Sequence, residues 1–70
     1  MTRYTWSGHV RSGTARTGSV ELERLPSVGT LVATRYRKGW RDLIVRAPDG
    51  TVVGRIERID GRRRVWWAES

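Results

Sequence analysis

Seventy residues make one small domain at most. Fourteen Lys and Arg against seven Asp and Glu give a formal charge of +7, with one histidine and no cysteine. Disulfides and any cysteine-based or multi-histidine metal site are thereby excluded. No apolar run approaches the roughly 20 residues that cross a bilayer, and no apolar stretch follows Arg3 as in a secretory signal. A cytoplasmic protein away from the membrane is expected.

The first 25 residues hold two strand-like pieces. Arg3-Tyr4-Thr5-Trp6 is rich in aromatic and β-branched residues, and in Ser19–Glu23 Val20 and Leu22 alternate with polar neighbours. Between them Ser12–Gly18 has turn composition, so residues 11–18 are expected to be mobile, like residues 1–2.

Leu25-Pro26-Ser27 then leads into VGTLVATRYRKG. Val28, Leu31, Val32, Arg35 and Tyr36 recur at helical spacing. Ser27 can serve as N-cap, Arg35, Arg37 and Lys38 load the last turn, and Gly39 sits where a left-handed cap belongs. Gly29 and the β-branched residues Val28, Thr30 and Val32 argue instead for a strand over 31–37. The stop signal favours the helix.

Residues 40–68 read as a three-stranded antiparallel meander. Trp40–Ala47, Thr51–Ile59 and Arg62–Ala68 are separated by Pro48-Asp49-Gly50 and Asp60-Gly61. Asp-Gly suits a type I′ hairpin, because both central residues need positive φ. A two-residue turn pairs Ile59 with Arg62, hence Gly54 with Trp67, Arg55 with Trp66 and Glu57 with Arg64. A three-residue Pro-Asp-Gly loop pairs Ala47 with Thr51, hence Ile44 with Gly54, and puts Trp40, Asp42, Ile44, Ile56, Val65 and Trp67 on the core face. Trp67 would then fill the space left by Gly54. A loop one residue tighter would turn Leu43 and Val45 to the core instead. The expected fold is α+β: a small antiparallel sheet, the C-terminal three-stranded meander plus one or two N-terminal strands, with one α-helix packed on one face, in the order β-β-α-β-β-β.

Only Lys38 among the fourteen basic residues is not arginine, a skew that GC-rich codon usage produces by itself. The charge is nevertheless blocked. Residues 1–20 hold three Arg and no acid, residues 35–48 hold five basic residues against Asp42, and Arg62-Arg63-Arg64 follow the last turn.

Catalytic provision is poor. His9 has no carboxylate near it in sequence, no acidic pair has metal-ligand spacing, and no glycine-rich phosphate loop exists. The reading is a non-enzymatic accessory protein with no cofactor and no small-molecule substrate. Arg55, Arg64 and Trp66 would contact nucleic acid on a sheet face, guanidinium groups taking phosphates and the ring stacking on a base. Arg35, Arg37, Lys38 and Arg41 would add phosphate contacts from the helix end. Two bland readings compete: Arg55 over Trp66 as an internal cation–π pair, and Glu57 with Arg64 as a cross-strand ion pair. The alternative function is a protein-interaction module, binding an acidic protein or a second copy through an apolar patch of Leu43, Val45, Val53 and Trp66.

Overall fold

The computed structural model describes residues 1–69. Strands β1 (Thr2–His9) and β2 (Ala15–Leu22) precede helix α1 (Ser27–Arg37), and β3 (Asp42–Arg46), β4 (Val52–Ile59) and β5 (Arg62–Trp67) follow it. The strands form one antiparallel sheet in the order β2-β1-β3-β4-β5. This is the expected α+β arrangement of five strands and one helix. Both N-terminal strands are longer than their composition suggests. Only a short loop after His9 remains, closed by Gly13 N–H to the Val10 carbonyl (2.8 Å) and Val10 N–H to the Thr14 carbonyl (3.0 Å). Ala15–Gly18 belong to β2 and pair with Trp6–His9.

The helix ends as its residues dictate. Gly39 adopts φ 88°. Its N–H reaches the Tyr36 carbonyl (3.1 Å) and that of Trp40 reaches the Arg35 carbonyl (3.2 Å), the paired bonds of a Schellman cap. The start differs from expectation. Pro26, not Ser27, is the N-cap residue, and no side chain caps it. The Val28 and Gly29 N–H groups instead meet the Leu25 and Pro26 carbonyls, both at 3.0 Å, so backbone alone satisfies them.

The two C-terminal turns form as their sequences require. Asp60 (φ 53°) and Gly61 (φ 77°) make the tight turn, and β4 pairs with β5 in the expected register from Ile59↔Arg62 to Gly54↔Trp67. The Pro-Asp-Gly loop also holds three residues, with Ala47 N–H bonded to the Thr51 carbonyl at 2.9 Å. The register then slips. Arg46 pairs with Val52 but Val45 with Gly54, leaving Val53 as an extra residue in a β-bulge. As a result Leu43 and Val45, not Asp42 and Ile44, face the helix. The cause is a conflict between turn and core. An unbulged strand would bury the charges of Asp42 and Arg46 without partners, at a cost of several kcal/mol each. One extra residue lets the loop keep its geometry while Leu43 and Val45 go under the helix, both fully buried.

Two glycines set the contact between helix and sheet. A Cβ at Gly54 would lie 2.7 Å from Val28 Cγ1 and 2.9 Å from Val32 Cγ2, so the helix rests directly on this bare backbone. The space above Gly54 is thus filled by the two valines and not by Trp67. The Trp67 indole lies instead against Gly29, where a Cβ would come within 2.6 Å of Nε1. Tyr4, Val28, Val32, Trp40, Leu43, Val45, Val53 and Ile56 complete the core.

Candidate nucleic-acid interface

α1 covers one face of the sheet and leaves the other open. Strand alternation and the pairing register place the open face in rows. One row runs Thr17, Ser7, Ile44, Arg55, Trp66 across β2, β1, β3, β4 and β5. The next runs Ala15, His9, Asp42 across the first three strands, with Glu57↔Arg64 completing it on β4 and β5. A depression of about 620 Å³ opens on this face, with Ser7, His9, Asp42, Ile44, Arg55 and Glu57 among its lining residues. Its floor is apolar at Ile44, which is 39% exposed, and Trp66 stands beside it at 44%.

The arginine side chains have distinct surroundings. The Arg55 guanidinium carbon lies 5.3 Å from the centre of the Trp66 ring, and Arg55 Nε is 3.4 Å from Glu57 Oε2. The internal cation–π pair thus forms. Glu57 takes its ion-pair partner from its own strand, so among the described residues Arg64 has no carboxylate within 4 Å. Arg46 and Arg62 occupy the same face on β3 and β5. Four arginines against Asp42 and Glu57 make the β3–β5 half of the face net positive, whereas the β1–β2 half carries the hydroxyls of Thr5, Ser7, Thr17 and Ser19.

Of the residues singled out from sequence, Arg55, Arg64 and Trp66 share this face. The others do not join them. Arg35 is on the helix side, its guanidinium carbon 5.2 Å from the Trp6 ring and 5.1 Å from the Trp40 ring, with Nε buried and unpartnered. Its charge is committed to the packing of those two indoles, which meet edge to face at 5.5 Å. Arg37 and Lys38 are exposed at the helix end, in the layer behind the sheet. Arg41 donates through Nε to the Arg11 carbonyl (3.0 Å) and so braces the β1–β2 loop. The proposed apolar patch is not a surface: Leu43 and Val45 are 0% exposed and Val53 is 6%, which leaves only Trp66 of the four accessible. The bulge at Val53 is the reason.

Two features escaped the sequence reading. Arg63, in the middle of the basic triplet, donates from Nη1 to the carbonyls of Tyr36 (2.9 Å) and Trp40 (3.0 Å), and stands 4.2 Å over the Tyr36 ring. It is a structural pin between β5 and the end of α1. His9 is not isolated either. Its Nδ1–H donates to Asp42 at 2.9 Å and 3.1 Å, since a carboxylate only accepts. The partner lies 33 residues away in sequence and arrives through the β1–β3 pairing. Periodicity carries no signal for such a pair.

No helix of the described residues is long and apolar enough to cross a membrane. Among the same residues, no group of three or more His, Cys, Asp or Glu is placed to hold a metal ion. Comparison of the chain with protein-family models, with curated proteins and with solved structures finds no match to any of them.

Proposed function

We propose that this protein binds single-stranded nucleic acid through the open face of its sheet. The observation that carries the proposal is the register-matched cluster on β3–β5: Ile44 and Trp66, both exposed, flank Arg55 in one row, with Arg64, Arg46 and Arg62 on the same face, which no other element of the described residues covers. A splayed base finds an indole to stack on, and the flanking phosphates find guanidinium groups, a combination tolerant of sequence. The hydroxyl row on β1 and β2 extends the face with uncharged donors and acceptors for sugar and base edges. Arg37 and Lys38, behind the sheet, add long-range attraction without touching the same strand.

Titration of labelled single-stranded and duplex oligonucleotides at several salt concentrations tests this. The expected result is tighter binding to single strands. With three phosphates neutralised, the logarithm of affinity should fall against the logarithm of salt with a slope of roughly −2, at ~0.7 per contact. Absence of binding at about 50 mM salt, where such contacts are strongest, overturns the proposal. Binding that survives Arg64→Ala and Trp66→Ala unchanged overturns the choice of face.

A further inference from the structure

The stacking surface leaves one part of the open face unexplained. The depression beside Trp66 brings His9, Asp42, Glu57 and Arg55 to a single concavity. Asp42 accepts the Nδ1–H of His9, which fixes the ring and leaves Nε2 as the free nitrogen. Leu43 pairs with Ile56, so one step further Asp42 lies next to Glu57. His9 and Glu57 therefore flank one strand, with their Cα atoms roughly 10 Å apart at two interstrand spacings. Side chains that converge from such a separation can reach opposite sides of one phosphodiester. Arg55 also lines the depression, its Nε 3.4 Å from the Glu57 carboxylate and its guanidinium over Trp66.

Carboxylates in the middle of a phosphate-binding face are costly unless they have a task, because they repel the ligand. An acid, a base and a fixed cation around one phosphate are what transfer of a phosphoryl group to an internal hydroxyl requires. We propose that the depression cleaves bound RNA by attack of the ribose 2′-oxygen on the adjacent phosphorus. This rests on the nucleic-acid reading above and goes beyond a purely binding role. Glu57 takes the proton from the 2′-hydroxyl as the O2′–P bond forms. Arg55 stabilises the negative charge on the five-coordinate phosphorus. The P–O5′ bond breaks, and the His9 imidazolium delivers its Nε2 proton to the departing 5′-oxygen. The products are a 2′,3′-cyclic phosphate and a 5′-hydroxyl, and every atom and proton comes from the RNA and these side chains.

Ser7 sits two residues from His9 on the same face and invites comparison with a Ser-His-Asp acyl-transfer site. The sheet argues against it. Thr5–His9 of β1 are paired with strands on both sides, so their backbone N–H groups are committed to the sheet and cannot form an oxyanion hole. No hydrogen bond joins Ser7 to His9 among the described residues. RNA brings its own nucleophile and needs neither.

The experiment uses the full chain, a labelled mixed-sequence single-stranded RNA, and its 2′-deoxy analogue, with a chelator present. The RNA should be cut to 2′,3′-cyclic phosphate ends, while the deoxy strand is bound and left intact. His9→Ala and Glu57→Gln, purified in parallel, should each lower the cleavage rate by about 10²- to 10⁴-fold. His9 is exposed and Glu57 half-buried with its carboxylate at the surface, so circular dichroism should be unchanged, and affinity for the deoxy strand should be kept in His9→Ala and kept or raised in Glu57→Gln, which removes a repelling charge. Binding of both strands with no cleavage overturns this inference and leaves the binding proposal standing. Cleavage that survives both substitutions also overturns it. Failure to bind either strand overturns both.

Discussion

The arginine–tryptophan pair occurs on both faces of the sheet, and its two settings differ. Under the helix, Arg35 lies within about 5 Å of both Trp6 and Trp40, its Nε shut away from solvent and from any partner. On the open face, Arg55 lies over Trp66 at a similar distance, but both side chains remain accessible and Glu57 shares the charge. The first arrangement is packing: a flat cation fills the angle between two perpendicular rings at the helix end. The second keeps a ring and several donors available to a ligand. Equal contact distances thus have different meanings, and the helix decides which by covering only one face.

Removing the buried side of this comparison should have the largest effect. Trp40→Ala is expected to cost about 3–5 kcal/mol, enough to unfold much of a domain this small, and a urea or thermal melt will read it. Gly54→Ala comes next. Its Cβ would press on Val28 and Val32, which is expected to cost roughly 1–3 kcal/mol, measured by the same melts. Arg63 and Arg64 are adjacent and should separate cleanly. Arg63→Ala removes two charge-assisted bonds to the helix end and should cost about 1.5–3 kcal/mol in stability. Arg64→Ala should move stability by no more than about 0.5 kcal/mol and show its effect in the salt slope of binding.

Trp66→Ala is the sharpest test of the open side. The loss of an exposed cation–π pair should lower stability by about 0.5–1 kcal/mol, while loss of a stacked base should cost about 1–3 kcal/mol in binding. If stability falls by more than affinity, Trp66 belongs with the packing tryptophans and the comparison collapses.

The smallest effect concerns acid. The Thr51 N–H, which donates to Asp49 Oδ1 at 2.9 Å, holds the Asp49 carboxyl below its ordinary value of 3.8. A carboxyl lowered on folding stabilises the native state above its unfolded value, and that contribution is lost as pH falls through the folded one. Asp49→Asn should therefore narrow the difference in melting temperature between neutral pH and pH below about 4 by a small amount.

Much of this architecture was legible in the chain. Asp60-Gly61 determined the β4–β5 register by itself, because positive φ at both positions admits one kind of turn and strand alternation does the rest. Basic residues followed by Gly39 marked the helix end for an equally local reason. The Pro-Asp-Gly loop shows where local reasoning stops. The loop forms as read, yet a single bulged residue reverses every side chain of β3 and converts the expected surface of Leu43, Val45 and Val53 into core. The same reversal exposes Ile44 and Asp42, without which the open face has neither its apolar floor nor the partner of His9.

By itself, then, the chain favoured this element order and determined its two C-terminal turns and the placement of Arg55, Arg64 and Trp66 on one face of the sheet. These depend on backbone preferences and a two-residue period, which act over a few neighbours. Tertiary structure alone decided the bulge, the use of Arg35 and Arg63 as packing and pinning groups, and the meeting of His9 with Asp42. Each of those follows from a competition between distant segments for burial or hydrogen bonds, and such competition is resolved only when the segments come together.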